Sequence, residues 1–294
     1  MCFLDESFVR DSARWIGMDA TLVDALASAA RQVRHKTHLL QAAEHARDLI
    51  FQRHEDRPAV LRALPTFEGH GEAGRLLYVL VYLSGLPLVR RLNAARGIDQ
   101  TVTRRTLMDL DLWIREYRLR YGVFGFSEID WPVWHFTGRL FTLGRLQFQI
   151  MNSPWDLTGL HKGDPVLGVH IPATGPLLDA ACEESFRLAA EFFPRHFPDH
   201  PFVAFTCESW MMDPHLALYL PPDSNLVRFQ RRFSLFPPPE SLAWQLYQRV
   251  LGWDVRTVQD APPPRTTLQR AVLEHVRRGG HWRGGLGIRL VQPR

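Results

Sequence analysis

The sequence predicts an α+β protein, with a helical N-terminal domain over residues 1–130 packed on a mixed-sheet C-terminal domain over 131–294. Three observations lead there. Through residue 130 the apolar residues recur at the helical period. From Trp131 onward short apolar runs alternate with helical stretches, the pattern of a sheet layered with helices. Hydrophobic residues make up 46% of the chain, enough to fill two cores, and no long stretch has the composition of disorder.

Asp19 is placed to cap a helix running to Val33, with Leu22, Ala25, Leu26 and Ala29 on one face. Leu39, Ala42, Ala43, Ala46 and Ile50 mark a second helix, Leu39–Gln52. Pro58 suits the first turn of a short helix ending at Leu64. Gly71–Ser84 reads as a buried helix ending near Gly85-Leu86-Pro87. The apolar run Leu76–Val89 is too short to span a bilayer. After Gly97 a long helix begins at Thr101 or Thr103 and stops at Tyr121-Gly122, with Leu107, Leu110, Ile114 and Tyr117 on one face.

In the second half, Arg139–Met151 reads as a hairpin bent at Gly144. Strands are predicted over Val166–Ile171, Phe202–Trp210, Leu226–Phe236 and Gly285–Val291. Helices are predicted over Leu177–Phe193, Pro214–Leu220, Ser241–Leu251 and Thr267–Arg278. The strand–helix–strand order makes the strands at 166–171 and 202–210 parallel neighbours, open to splaying around a ligand.

Charge and cysteine usage exclude several classes. Only Lys36 and Lys162 are lysines among 35 basic residues, the bias of a GC-rich, hence bacterial, genome. A net charge of +4 is mild, so no nucleic-acid partner is expected, although it suits an anionic ligand. The basic residues of Thr103–Tyr121 are interleaved with Asp109, Asp111 and Glu116, as on a solvated face. Cys2, Cys182 and Cys207 form neither a disulfide framework nor a zinc knuckle, which fits a reducing, cytoplasmic compartment. His196 and His200 have ligand spacing, but Pro198 interrupts it, and no metal is expected. Residues 1–15 lack the apolar core of a signal peptide.

The stretch carrying chemistry is Asp164–Phe236. Its strand Val166–Ile171 runs through Ala173-Thr174-Gly175-Pro176 directly into a helix, so that backbone N–H groups and the helix dipole converge on an anion. Strand alternation puts Leu167, Val169 and Ile171 on one face, with Val166, Gly168 and His170 on the other. An acyl transfer to an amine needs a base, backbone donors for the oxyanion and an acid for the leaving group. His170 is the candidate base and Tyr219 the candidate acid. The bland alternatives are a structural histidine, a core tyrosine at a helix end, and buried filler at Cys207. Trp131, Trp134, His135 and Phe136 would line a pocket or, more simply, an inter-domain core.

This order of elements resembles the core of the GNAT N-acyltransferase superfamily. RLFTLGRLQFQ (139–149), DPVLGVHIPATGPL (164–177), CESWMMDP (207–214), LPPDSNLVRFQRRF (220–233) and TTLQRAV (266–272) further resemble two-domain acyltransferases with a helical N-terminal and a GNAT-like C-terminal domain. These are similar to the enzymes that acylate the amino sugar of glycopeptide antibiotics. The resemblance implies acyl-CoA as co-substrate and a primary amine of a small molecule, amino sugar or peptide as acceptor, attacked directly. It implies cofactor contacts at Gly168, Val169, Ile171, Thr174, Gly175 and Leu177. The superfamily's pyrophosphate loop, Gln/Arg-x-x-Gly-x-Gly/Ala, survives here only as the central Gly175 of Pro172–Leu177. The nearest other match, Trp282–Gly287, lies between a helix and a strand, in the wrong order. The weakened loop is what a rival reading would use: a non-catalytic protein of the same fold that senses acyl-CoA or a peptide.

Overall fold

The structure, a computed structural model, describes residues 3–51, 64, 65, 67 and 69–291. All of the short helix expected from Pro58, except Leu64, lies outside the described residues. Two compact units, 1–142 and 143–294, make up the chain. Val133 and Phe136 belong to the apolar core of the first, so that unit runs past the change of sequence pattern at Trp131.

The first unit is helical. Asp5 accepts the N–H of Ser7 and opens α1 (Glu6–Ile16), which Gly17 closes in the left-handed region at φ 106°. Asp19 opens α2 (Ala20–His35) by accepting the Leu22 N–H at 2.9 Å, as its position predicts. Next come α3 (Thr37–Phe51), α4 (Gly71–Ser84) and α5 (Leu86–Ala95). Nearly every side chain of α4 is buried, because α1, α2 and α3 all pack on it. The long helix expected from Thr101 is two helices, α6 (Gln100–Leu107) and α7 (Asp109–Tyr121), followed by the short α8 (Val133–Phe136). Around the break, Thr106 accepts the Thr142 N–H at 2.9 Å, and Asp109 accepts the indole N–H groups of Trp113 and Trp131.

The sheet has the order β1-β2-β3-β4-β6-β5, and the unit boundary falls within β1. Its strands are β1 (Leu140–Leu143), β2 (Leu146–Asn152), β3 (Pro165–His170), β4 (Ala204–Ser209), β5 (Ser234–Phe236) and β6 (Gly285–Leu290). β3 and β4 are parallel, as the intervening helix predicts, whereas β2–β3, β4–β6 and β5–β6 are antiparallel. That helix is α9 (Asp179–His196). It covers one sheet face, where Phe148, Phe186, Phe193 and Phe205 meet edge to face. The opposite face carries Val166, Ala204, Leu286 and Ile288 in a smaller apolar cluster.

One predicted strand is different. Leu226–Phe236 is predicted as one long strand, yet Ser224 caps α10 (Asn225–Gln230), and only Ser234–Phe236 pairs as β5. Gln230 decides this: its amide donates to the carbonyls of Met211 and Asp213 at 2.7 and 2.8 Å, which holds the segment as a turn of helix. The chain ends through α11 (Ala243–Leu246), a π turn (Tyr247–Leu251), α12 (Thr267–Arg277) and β6.

Candidate active site

β3 and β4 pair through Val166–Ala204, Leu167–Phe205 and Gly168–Thr206, and there the register ends. β3 continues to His170 and β4 to Ser209. Beyond Gly168 and Thr206 the two strands share no further register pair. An opening of this kind between parallel strands is where a ligand can meet the strand backbone.

His170 stands at the mouth of this opening, half-buried, on the same face as Gly168. Its Nε2 lies 2.9 Å from Oε1 of the buried Gln149 on β2. In the tautomer that donates from Nε2 to this amide oxygen, Nδ1 is the ring's acceptor nitrogen. Gly168 makes this arrangement fit. A Cβ there would come within 2.8 Å of Met151 Sδ and 3.5 Å of His170 Nε2. Val169 faces the other way into the core, and Ile171 is half-buried where β3 leaves the sheet.

On β4, Glu208 follows Thr206 by two residues and shares its face, and therefore the face of His170. Burial, and secondly the charge of Glu240, push its carboxyl above the usual range. Sequence reasoning passed over Glu208; only the parallel register reveals it. Cys207 points to the opposite, buried side. Burial first, then Glu208, pushes its thiol up to about 12, so it is no nucleophile near neutrality.

The loop after β3 leads to the N-terminus of α9, as expected. Thr174 and Gly175 are exposed, Gly175 takes φ 123°, and Leu177 is buried as the anchor before the helix. Leu178 occupies the cap position and offers no capping side chain. Among the described residues, the N–H groups of Ala173, Leu177, Asp179, Ala180 and Ala181 have no protein acceptor. Arg232 pairs with Asp179, and Arg289 with Glu183 at 3.1 Å, so arginine–carboxylate pairs flank the first turn. Uncapped N–H groups at a helix N-terminus favour an anion in general.

Tyr219 is elsewhere in its bonding. Its hydroxyl meets Nδ1 of His275 on α12 at 3.2 Å, and the ring packs with Leu216, Leu220 and Val272. It makes no hydrogen bond to His170. Nor does the glycine-rich segment Trp282–Gly287 form a phosphate cradle. The N–H groups of Arg283 and Gly284 both donate to the buried Asp213 at 2.9 Å, and a Cβ at Gly285 would strike the Met212 backbone at 2.3 Å. Those glycines serve close packing.

Two sequence families cover this frame. The N-acyltransferase N-terminal domain matches residues 7–138, and the GNAT-like C-terminal domain matches residues 140–289. The chain belongs to this two-part N-acyltransferase family. Solved acyltransferase structures are similar to it along nearly their whole length. One is an acyltransferase in complex with decanoyl-CoA and teicoplanin: 31% identity, TM-score 0.84, with 97% of this chain and 88% of that chain covered. Another is in complex with CoA and 10C-teicoplanin, at 32% identity and TM-score 0.84 over the same shares of the two chains. A third is an acyltransferase mutant in complex with octanoyl-CoA, at 32% identity and TM-score 0.83, again over 97% and 88%. No curated protein sequence matches the chain. The open β3–β4 edge and the uncapped α9 of this N-acyltransferase are thus set in a frame shared with proteins that bind acyl-CoA.

Proposed function

We propose that this N-acyltransferase takes an acyl group from acyl-CoA and passes it by direct attack to a primary amine, with the amino sugar of a glycopeptide as the favoured acceptor class. The observation that carries this reading is the end of β3–β4 pairing at Gly168–Thr206, beside His170 and an uncapped helix N-terminus. Teicoplanin in two of the similar structures supports the acceptor class. Thr174, Gly175 and Leu177 lie where the pyrophosphate would rest, and the backbone of Gly168, Val169 and Ile171 lies where the thioester carbonyl would be held.

His170 Nδ1 takes one proton from the ammonium and frees the nitrogen lone pair. The nitrogen bonds to the thioester carbon, charge collects on the carbonyl oxygen, and backbone N–H groups at the end of β3 would stabilise it. The C–S bond then breaks. The second proton of the attacking nitrogen neutralises the departing thiolate, so no separate acid is needed, and the surroundings of Tyr219 lend no support to that role. We place the enzyme in a bacterial cytoplasm, a reading supported by its arginine bias and unpaired Cys182 and Cys207.

The test supplies acyl-CoA and a glycopeptide bearing a free amino sugar, and follows free thiol together with the mass of the acceptor. Release of one thiol per acylated amine is expected. Acyl-CoA that raises the melting temperature without ever releasing thiol, across donors and amines, would instead make the protein a sensor.

A further inference from the structure

We infer that Arg145 is a positioning residue that shapes the loop Pro172–Leu177 into an anion cradle. It would do the work that the loop's own sequence no longer does, and the inference rests on the acyl-CoA reading above. Arg145 sits in the β1–β2 turn, not in the loop. Its guanidinium donates to three loop carbonyls: Nη1 to Pro172 at 3.0 Å, Nη2 to Gly175 at 2.6 Å and Nε to Pro176 at 3.1 Å. One rigid fork thus fixes three successive points of one short loop.

The consequence follows from peptide geometry. In a trans peptide the C=O and the next N–H point in opposite directions. With the Pro172 carbonyl drawn inward, the Ala173 N–H faces outward. With the Pro176 carbonyl drawn inward, so does the Leu177 N–H. The peptide between Gly175 and Pro176 has no N–H to offer, so its carbonyl would repel an anion unless it too were turned away, and Arg145 turns it away. The outward N–H groups of Ala173 and Leu177 are among those without a protein acceptor. Ala173, Thr174, Gly175 and Pro176 are all exposed.

Arg145 is itself held to the helix that the loop feeds. Ser185 on α9 accepts the Arg145 N–H at 2.7 Å and the Leu146 N–H at 3.3 Å, and donates to the Ala181 carbonyl at 2.8 Å. Gly144 allows this approach, since a Cβ there would stand 2.7 Å from Ser185 Oγ. Turn, loop and helix end form one braced unit, with the guanidinium at its centre.

The experiment compares acyl-CoA with the matching acyl-pantetheine, which carries the thioester but no pyrophosphate, in the wild type and in Arg145→Met, Arg145→Lys and Ser185→Ala. The wild type is expected to show a much lower KM for acyl-CoA. Arg145→Met should raise the KM for acyl-CoA about tenfold or more, a loss on the order of one charge-assisted contact, while kcat and the acyl-pantetheine reaction change little. Arg145→Lys should recover only part, because one ammonium cannot bridge three carbonyls. Ser185→Ala keeps the guanidinium and should shift the same ratio less, which preserves the test if Arg145→Met fails to fold. Equal losses with both donors, or an unchanged acyl-CoA preference in every variant, would overturn the inference while leaving the activity intact. A wild type indifferent to the pyrophosphate would overturn the loop placement on which it rests.

Discussion

Gly168 and Thr206 are the last residues at which β3 and β4 face each other in register. The glycine at this fork is the residue that lets His170 and Met151 approach the strand. Gly168→Ala puts a methyl 2.8 Å from Met151 Sδ, so the sulfur must shift on the face it shares with His170. Turnover is expected to fall by ~10- to 100-fold, the scale of misplacing a catalytic group by about 1 Å. Because the obstruction is the end of a flexible side chain, adding Met151→Ala should restore most of the rate. Steady-state kinetics of the single and double variants check this. A double variant as slow as the single one would show that the glycine matters for another reason.

The bond between His170 and Gln149 gives a pH signature. His170→Ala should lower turnover by ~100- to 10,000-fold, with partial recovery as pH rises and the amine loses its proton unaided. Gln149→Glu keeps the length of the side chain and sets a carboxylate where Oε1 now lies 2.9 Å from Nε2. A nearby anion stabilises the imidazolium and raises its pKa, so the base stays protonated to higher pH. The acid limb of the kcat/KM profile should therefore move up by about 1 unit or more. An acid limb that does not move would remove His170 from the role of base.

The sequence revealed the helical half well because its signals are local. Asp19, Gly71–Ser84 and the capping positions act within one or two turns. The β3–loop–α9 unit was legible for the same reason, since strand, Gly175 and helix adjoin in the chain. Four features were not legible, and each depends on a distant partner. Leu226–Phe236 reads as a strand, but the carbonyls of Met211 and Asp213 hold Gln230 in a helix. Tyr219, the candidate acid, meets His275, 56 residues on, through its hydroxyl. Glu208 joins the face of His170 only through the parallel register, and Arg145 reaches its loop across a gap of about 30 residues.

Asp213 makes a stability prediction away from the chemistry. Its buried carboxylate accepts the His215 N–H at 3.0 Å, His215 Nδ1 at 2.8 Å, and the N–H groups of Arg283 and Gly284 at 2.9 Å each. It thereby ties the entry of β6 to the segment after β4. Asp213→Ala strands these donors, and an orphaned buried donor costs about 1–3 kcal/mol. Asp213→Asn retains acceptor capacity on one side only and should fall between. Chemical denaturation measures both. Wild-type stability in Asp213→Ala would mean that water replaces the carboxylate at no net cost.

His135 makes the enzyme sensitive to acid from within its helical unit. The ring is buried, with Nε2 3.4 Å from the Asp109 carboxylate that also accepts both the Trp113 and Trp131 indole N–H groups at 2.9 Å. Burial lowers the pKa of His135 below its ordinary 6.5, and the opposing pull of Asp109 is the smaller effect. The unfolded chain therefore takes up a proton near pH 6.5 that the folded chain still refuses. Stability is complete above that value and falls as the pH drops below it, until the folded histidine is itself protonated. His275 adds to the same slope, since burial and then His215 lower its pKa too. The melting temperature should decline between about pH 7.5 and about pH 5.5. His135→Gln, which cannot titrate, should decline less over the same interval. If the two proteins lose stability in parallel, the histidine is already satisfied as an imidazolium in the fold, and its neutral burial is wrong.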